Sequence, residues 1–97
     1  MQYFYRAHCT PDDVLAHADR FFTGRGFTKQ AGGPDAARYR DERGQVDVTM
    51  EIEGGHYTRV TVRTADVGES ELDKLAKRFL AELHAHEDRG HTVRGAY

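Results

Sequence analysis

Val46-Asp47-Val48-Thr49-Met50-Glu51-Ile52-Glu53-Gly54-Gly55-His56-Tyr57-Thr58-Arg59-Val60-Thr61-Val62-Arg63-Thr64 is the stretch that decides the fold. In its first arm Val46, Val48, Met50 and Ile52 share one face while Asp47, Thr49, Glu51 and Glu53 share the other, the period-2 pattern of a half-buried strand. The second arm repeats it, with Thr58, Val60, Val62 and Thr64 opposed to Tyr57, Arg59, Thr61 and Arg63, so both arms can bury one side and wet the other. A two-residue turn at Gly54-Gly55 would set Met50 against Arg59 and mix the faces. A three-residue loop, Gly54 to His56, pairs Ile52 with Thr58, Met50 with Val60 and Val48 with Val62 inside. It also sets Glu51 against Arg59 and Asp47 against Arg63 outside, neighbours that contribute about 0.2–1 kcal/mol per pair and therefore help to choose the register.

Working outward, Ala36 to Glu42 reads as the preceding strand. A turn at Arg43-Gly44 would place Glu42 opposite Gln45, Asp41 opposite Val46, Arg40 opposite Asp47, Tyr39 opposite Val48 and Ala37 opposite Met50. Ala31-Gly32-Gly33-Pro34-Asp35 is a break, and Phe27 to Gln30 before it is a short strand or extended loop. Further back, Thr10-Pro11-Asp12-Asp13 is a helix start, with a hydroxyl cap, proline in the first turn and carboxylates at the positive end of the dipole. That helix carries Val14, Leu15, Ala18, Phe21 and Phe22 inward and stops near Gly24, a residue suited to the left-handed C-terminal conformation. The aromatic segment Met1 to Cys9 reads as the first strand, with Tyr3, Tyr5, Ala7 and Cys9 inward. After the hairpin, Ser70 and Asp73 resemble a shortened capping box for a helix whose stripe is Leu72, Leu75, Ala76, Phe79, Leu80 and Leu83. Periodicity fades beyond Leu83, and the polar end reads as frayed.

These elements predict an α+β domain, β-α-β-β-β-β-α, with one antiparallel sheet in the order 1-5-4-3-2 and both helices on one face. Residues 1–89 form the domain and 90–97 a flexible polar tail. The element order resembles the helix-grip group: TATA-binding-protein-like domains share it, and START or Bet v 1-like domains elaborate it with extra strands. Thr10-Pro11-Asp12-Asp13-Val14 is also similar to the start of the first helix in START-like proteins. The resemblance implies a fold and carries no functional residue across. The chain is shorter than START-like domains, with too few strands for their deep cavity.

Ninety-seven residues with 38% hydrophobic and 31% charged side chains suit one domain with a modest core. The net charge of -2 argues against a general polyanion binder. No apolar run reaches membrane-spanning length, and no signal peptide opens the chain, so a cytoplasmic location is expected. The single cysteine, Cys9, excludes an internal disulfide.

No catalytic or cofactor motif stands out. His84 and His86, with His91 beyond, suggest a metal site, but side chains two apart on a helix diverge by about 200°. His8 and Cys9 are adjacent on a strand and point to opposite faces, which separates a base from its thiol. Gly24-Arg25-Gly26-Phe27 follows a helix and leads into a strand, the reverse of a phosphate loop. What remains is a non-catalytic binding or assembly module without cofactor or metal. Its expected contact surface, for a protein partner or a second copy, is the outer sheet face: Arg38, Arg40, Asp47, Glu51, Tyr57, Arg59 and Arg63. There four arginines, Arg38, Arg40, Arg59 and Arg63, meet four carboxylates, Glu42, Asp47, Glu51 and Glu53, a balance that argues against nucleic acid. The alternative is a small apolar ligand between the second helix and the sheet, bordered by Tyr3, Tyr5, Tyr39, Met50, Val62 and Phe79.

Overall fold

Hydrophobic alternation along the strands and a 3.6-residue stripe on each helix leave one way to bury both: helices laid across one face of a sheet. The structure, a computed structural model, describes residues 1–55, 57–65 and 70–95, with side chains through Glu87. Its elements are β1 (Gln2–Ala7), α1 (Pro11–Thr23), β2 (Thr28–Gly32), β3 (Ala36–Asp41), β4 (Gly44–Glu53), β5 (Tyr57–Thr64) and α2 (Glu71–Gly95). The strands form one antiparallel sheet in the expected order, β1-β5-β4-β3-β2. α2 lies over β1, β5 and β4, and α1 over β2, β3 and β4.

The β4–β5 register is the one the hydrophobic pattern demands, with Ile52 opposite Thr58, Met50 opposite Val60 and Val48 opposite Val62. Glu53 pairs with Tyr57, which leaves three residues in the loop; Gly54 and Gly55 there have φ of 59° and 72°, backbone that favours glycine. Ile52 departs from expectation. It shares the parity of the core residues but is 67% exposed at the hairpin tip.

The β3–β4 turn corrects the sequence reading. Glu42 and Arg43 form the tip, so Asp41 faces Gly44, Arg40 faces Gln45, Tyr39 faces Val46, Arg38 faces Asp47 and Ala37 faces Val48. The expected pairs of Arg40 with Asp47 and Tyr39 with Val48 are thus displaced, though the slip preserves parity and keeps Ala37 and Tyr39 inside. The cause is local. The Asp41 carboxylate accepts the Arg43 backbone N–H and its Nε, each at 2.7 Å, which fixes Asp41 as the first residue of a four-residue turn. Burial alone would raise the Asp41 pKa, but these bonds and the guanidinium hold it below the usual value. Gly44 closes the turn at φ 136°, where a Cβ would lie 2.8 Å from Leu72 Cδ1.

α1 begins as its cap predicts, with Thr10 Oγ1 accepting the Asp13 N–H at 3.2 Å. Its end is a second correction. Gly24 is right-handed, with φ -64°, and the left-handed residue is Gly26 at φ 90°. The Phe27 N–H reaches back to the Phe22 carbonyl at 3.0 Å and the Gly26 N–H to Thr23 at 3.1 Å, the two bonds of a Schellman motif, with Phe27 packed on Phe22. Phe27 therefore belongs to the helix stop. β2 starts after it and runs through Ala31 and Gly32, into the segment that reads as a break. At the start of α2, Asp73 is fully buried; its N–H donates to Ser70 Oγ at 3.2 Å and its carboxylate accepts Thr64 Oγ1 at 2.7 Å. The carboxylate thus ties the helix to β5. The helical backbone of α2 continues to Gly95, well past Leu83.

Gly44→Ala should cost about 2 kcal/mol, because it combines a backbone conformation rarely adopted by L residues with a clash against a buried leucine. Urea denaturation would measure it, and a cost below about 0.5 kcal/mol would show that the turn tolerates a side chain.

Candidate binding surface

The sheet face opposite the helices is set by the even-numbered residues of β1 and β3 and the odd-numbered ones of β4 and β5. It carries Arg6, Arg38, Arg40, Arg59 and Arg63 against Asp47, Glu51 and Glu53, with Glu42 withdrawn to the β3–β4 turn. The charge balance expected from sequence is therefore broken toward positive, since β1 supplies an arginine and the turn removes a carboxylate. The ion pairs follow facing positions only in part, since Asp47 faces both Arg38 and Arg63 while Glu53 faces Tyr57. Asp47 binds Arg38 at 2.8 Å, not Arg63, and Glu53 takes both Arg6 at 2.9 Å and Arg59 at 3.6 Å. Arg63 instead donates to the neutral side-chain oxygen of Gln2 at 3.0 and 3.3 Å. Arg59 lies 4.5 Å over the Phe4 ring, and Phe4 and Tyr57 are exposed on this face.

A recess of about 550 Å³ opens here. Thr49 and Thr61, directly opposite each other on β4 and β5, line it together with Arg38, Asp47 and Arg63 of the adjacent cross-strand row and with Ala31 to Gly33. Of the outer-face residues singled out from sequence, Arg38, Asp47 and Arg63 line the recess; Arg40, Glu51, Tyr57 and Arg59 lie outside it. Ala31, Gly32 and Gly33, at the end of β2 and just beyond it, were missed. The signal was the Ala31-Gly32-Gly33 run, which reads only as a break.

On the helix side, Tyr39, Val62, Phe79 and Met50 belong to the buried core, with Tyr3 and Tyr5 half-buried against it. Phe22 stacks on Tyr39 with 4.9 Å between ring centres and lies 5.4 Å from Phe79. The Tyr39 hydroxyl donates to Asp19 at 2.6 Å, and burial together with that carboxylate raises its pKa.

A polar knot sits where α2 crosses the end of β1. Glu87 accepts the Tyr5 hydroxyl at 2.5 Å and the backbone N–H groups of His8 and Cys9 at 2.7 and 2.9 Å. Burial would raise its pKa, but these donors hold it below the ordinary value. Burial and the adjacent Glu87 charge push the Cys9 thiol up to about 12, which keeps it protonated at neutral pH. His8 turns to the outer face and packs on Tyr57. His84 meets the Tyr5 hydroxyl at 3.1 Å and His86 meets the His17 ring with centres 4.4 Å apart, so the two histidines serve different neighbours. Among the described residues no group of three or more metal-ligating side chains gathers; the side chain of His91 lies outside them. Glu87 was readable as Leu83 plus one turn, a carboxylate continuing the apolar stripe.

No protein-family model matches the chain, and no curated protein sequence matches it. Among the described residues no helix is long and apolar enough to cross a membrane.

Glu87→Gln should destabilise the domain by about 2 kcal/mol at pH 7, the scale of hydrogen bonds to a charged acceptor. Because the folded pKa is depressed, this stabilisation is full above the ordinary value of 4.5 and is lost as the pH falls through the folded value. Denaturation of both proteins from pH 7 to 3 should show the gap closing below 4.5; a gap independent of pH would assign Glu87 a purely steric role.

Proposed function

We propose that this domain is a binding module that receives a protein partner on the outer face of its sheet, with the recess between Arg38, Arg63 and Ala31–Gly33 accepting an acidic side chain. The observation that carries this reading is Arg63. It borders the recess while its guanidinium is engaged by a neutral amide, so its charge is spare on a face where arginines exceed carboxylates. The threonine hydroxyls of Thr49 and Thr61 add donors beside it, and a two-oxygen carboxylate suits the planar guanidinium fork. On the helix side of the sheet Tyr39, Met50, Val62 and Phe79 are taken up by the core.

An Asp/Glu-rich peptide titrated into isotope-labelled protein should shift the amide resonances of Gly32, Gly33, Thr49, Thr61 and Arg63. Arg63→Glu should weaken binding at least about tenfold, or about 1.4 kcal/mol. No shift at millimolar peptide, or equal binding by the variant, would refute the reading. Stronger binding by a single-stranded oligonucleotide than by the peptide would reassign the face to nucleic acid.

A further inference from the structure

A sheet of five strands has two edges, and here they are unlike. At one edge, β2 is interrupted between Lys29 and Ala31, ends in glycine and is followed by Gly33 and Pro34, while Lys29 reaches to Asp19. Bulges, glycine, proline and lysine are the devices by which edge strands resist pairing. At the other edge, β1 pairs with β5 without interruption from Gln2 to Ala7 and presents Phe4 at 53% exposure. It carries no bulge, glycine, proline or lysine along its length.

The phase of the β1 ladder shows what that edge offers. Met1 and Thr64 exchange both backbone bonds, Thr64 N to Met1 O at 2.8 Å and Met1 N to Thr64 O at 2.9 Å. Antiparallel pairs alternate between bonded and non-bonded, so the odd-numbered Tyr3, Tyr5 and Ala7 turn their N–H and C=O toward β5. Gln2, Phe4 and Arg6 turn theirs outward, where no described residue meets them. The next outward amide, His8, is already closed by Glu87 Oε2 at 2.7 Å. Glu87 therefore ends the open edge at Arg6, and the open window, Gln2 to Arg6, is centred on Phe4.

We infer that β1 pairs antiparallel with β1 of a second copy across a two-fold axis at Phe4, joining two sheets into one of ten strands. In this register Phe4 faces the second copy's Phe4, and Gln2 faces the second copy's Arg6 in both directions, a self-complementary arrangement of the kind a two-fold axis requires. About six backbone hydrogen bonds form, because all three pairs are of the bonded class. The two exposed phenylalanines become a cross-strand aromatic pair on the outer face. Glu87 closes the window at Arg6 and β1 begins at Gln2, so the register centred on Phe4 is the one that uses all three outward residues, and a slip by two residues forms fewer bonds. The recess lies over β3, β4 and β5 and is left open, so this contact does not depend on the acidic-partner reading.

Light scattering on the full chain at high micromolar concentration should give twice the monomer mass. Phe4→Pro removes one outward N–H and spares every bond to β5, so it should give a monomer with unchanged circular dichroism. Should that variant fail to fold, Phe4→Cys in a Cys9→Ser background supplies the second measurement: bonded-pair Cα atoms about 5.5 Å apart suit a disulfide, and mild oxidation should crosslink two chains. Thr28→Cys in the same background, on the β2 edge, should stay uncrosslinked. A wild-type monomer, a dimer that persists in folded Phe4→Pro, or crosslinking at Thr28 in place of Phe4 would each overturn the inference. Arg63→Glu should remain dimeric while losing the acidic peptide, which separates failure of one surface from failure of the other.

Discussion

The ring of Phe22 is the point at which this small domain is tied together. It is fully buried and meets Phe21 on its own helix, Phe27 beyond the helix stop, Tyr39 on β3 and Phe79 on α2, all with ring centres 4.9 to 5.4 Å apart. Its carbonyl closes the turn after α1 by accepting the Phe27 N–H. One residue thus sets where α1 ends, where β2 can begin and how α1 registers on the sheet. Tyr39 completes the lock: its ring stacks on Phe22 while its hydroxyl reaches Asp19, one helical turn earlier. In a chain of 97 residues without tryptophan, stacked and edge-on phenylalanines are the largest apolar surfaces available to close the core.

Strand parity was fully legible, because a side-chain period of two leaves each strand only two facings and one buries far more apolar surface. That is why the β4–β5 loop length could be read from alternation, while the strand order followed from keeping hairpin neighbours adjacent and setting β1 beside β5. Turn placement was less legible. At the β3–β4 turn, Arg43-Gly44 and Glu42-Arg43 preserve the same parity, so hydrophobic pattern could not separate them; the deciding force was the Asp41 carboxylate binding the Arg43 amide, a local competition. Similarly, either glycine in Gly24-Arg25-Gly26 can end a helix, and Gly26 won because only that choice returns Phe27 to Phe22. The binding surface was legible as a face but not as a site. Alternation names the outward residues, whereas the recess depends on the extension of β2 to Gly32 and the small residues beside it, which pattern alone assigns to a break.

Facing neighbours proved only a partial guide to charge pairing, and this bears on what the outer face can do. Asp47 takes the facing Arg38, but long arginine side chains also reach diagonally, so Glu53 gathers Arg6 and Arg59 from two strands. Exposed pairs of this kind contribute about 0.2–1 kcal/mol and exchange readily for other partners. A face built from them is cheap to rearrange on contact, unlike the aromatic layer beneath the helices.

The perturbed ionisations lie on the helix side and at its turns, and the spare charge lies on the outer face. Tyr39, Cys9 and Glu87 are shifted in directions that hold each in its structural form: a neutral hydroxyl, a protonated thiol and a charged cap. Glu87 does two things at once, since the bond that satisfies the His8 amide also terminates the exposed ladder of β1. A carboxylate pointed at the end of an edge strand limits pairing without abolishing it, and a limited window centred on an exposed phenylalanine is what a single defined partner strand needs. An unrestricted edge would admit slipped registers and open-ended growth. The division between a committed helix layer and an uncommitted sheet, with one defended edge and one bounded edge, follows from where the chain places its glycines, Lys29 and Glu87.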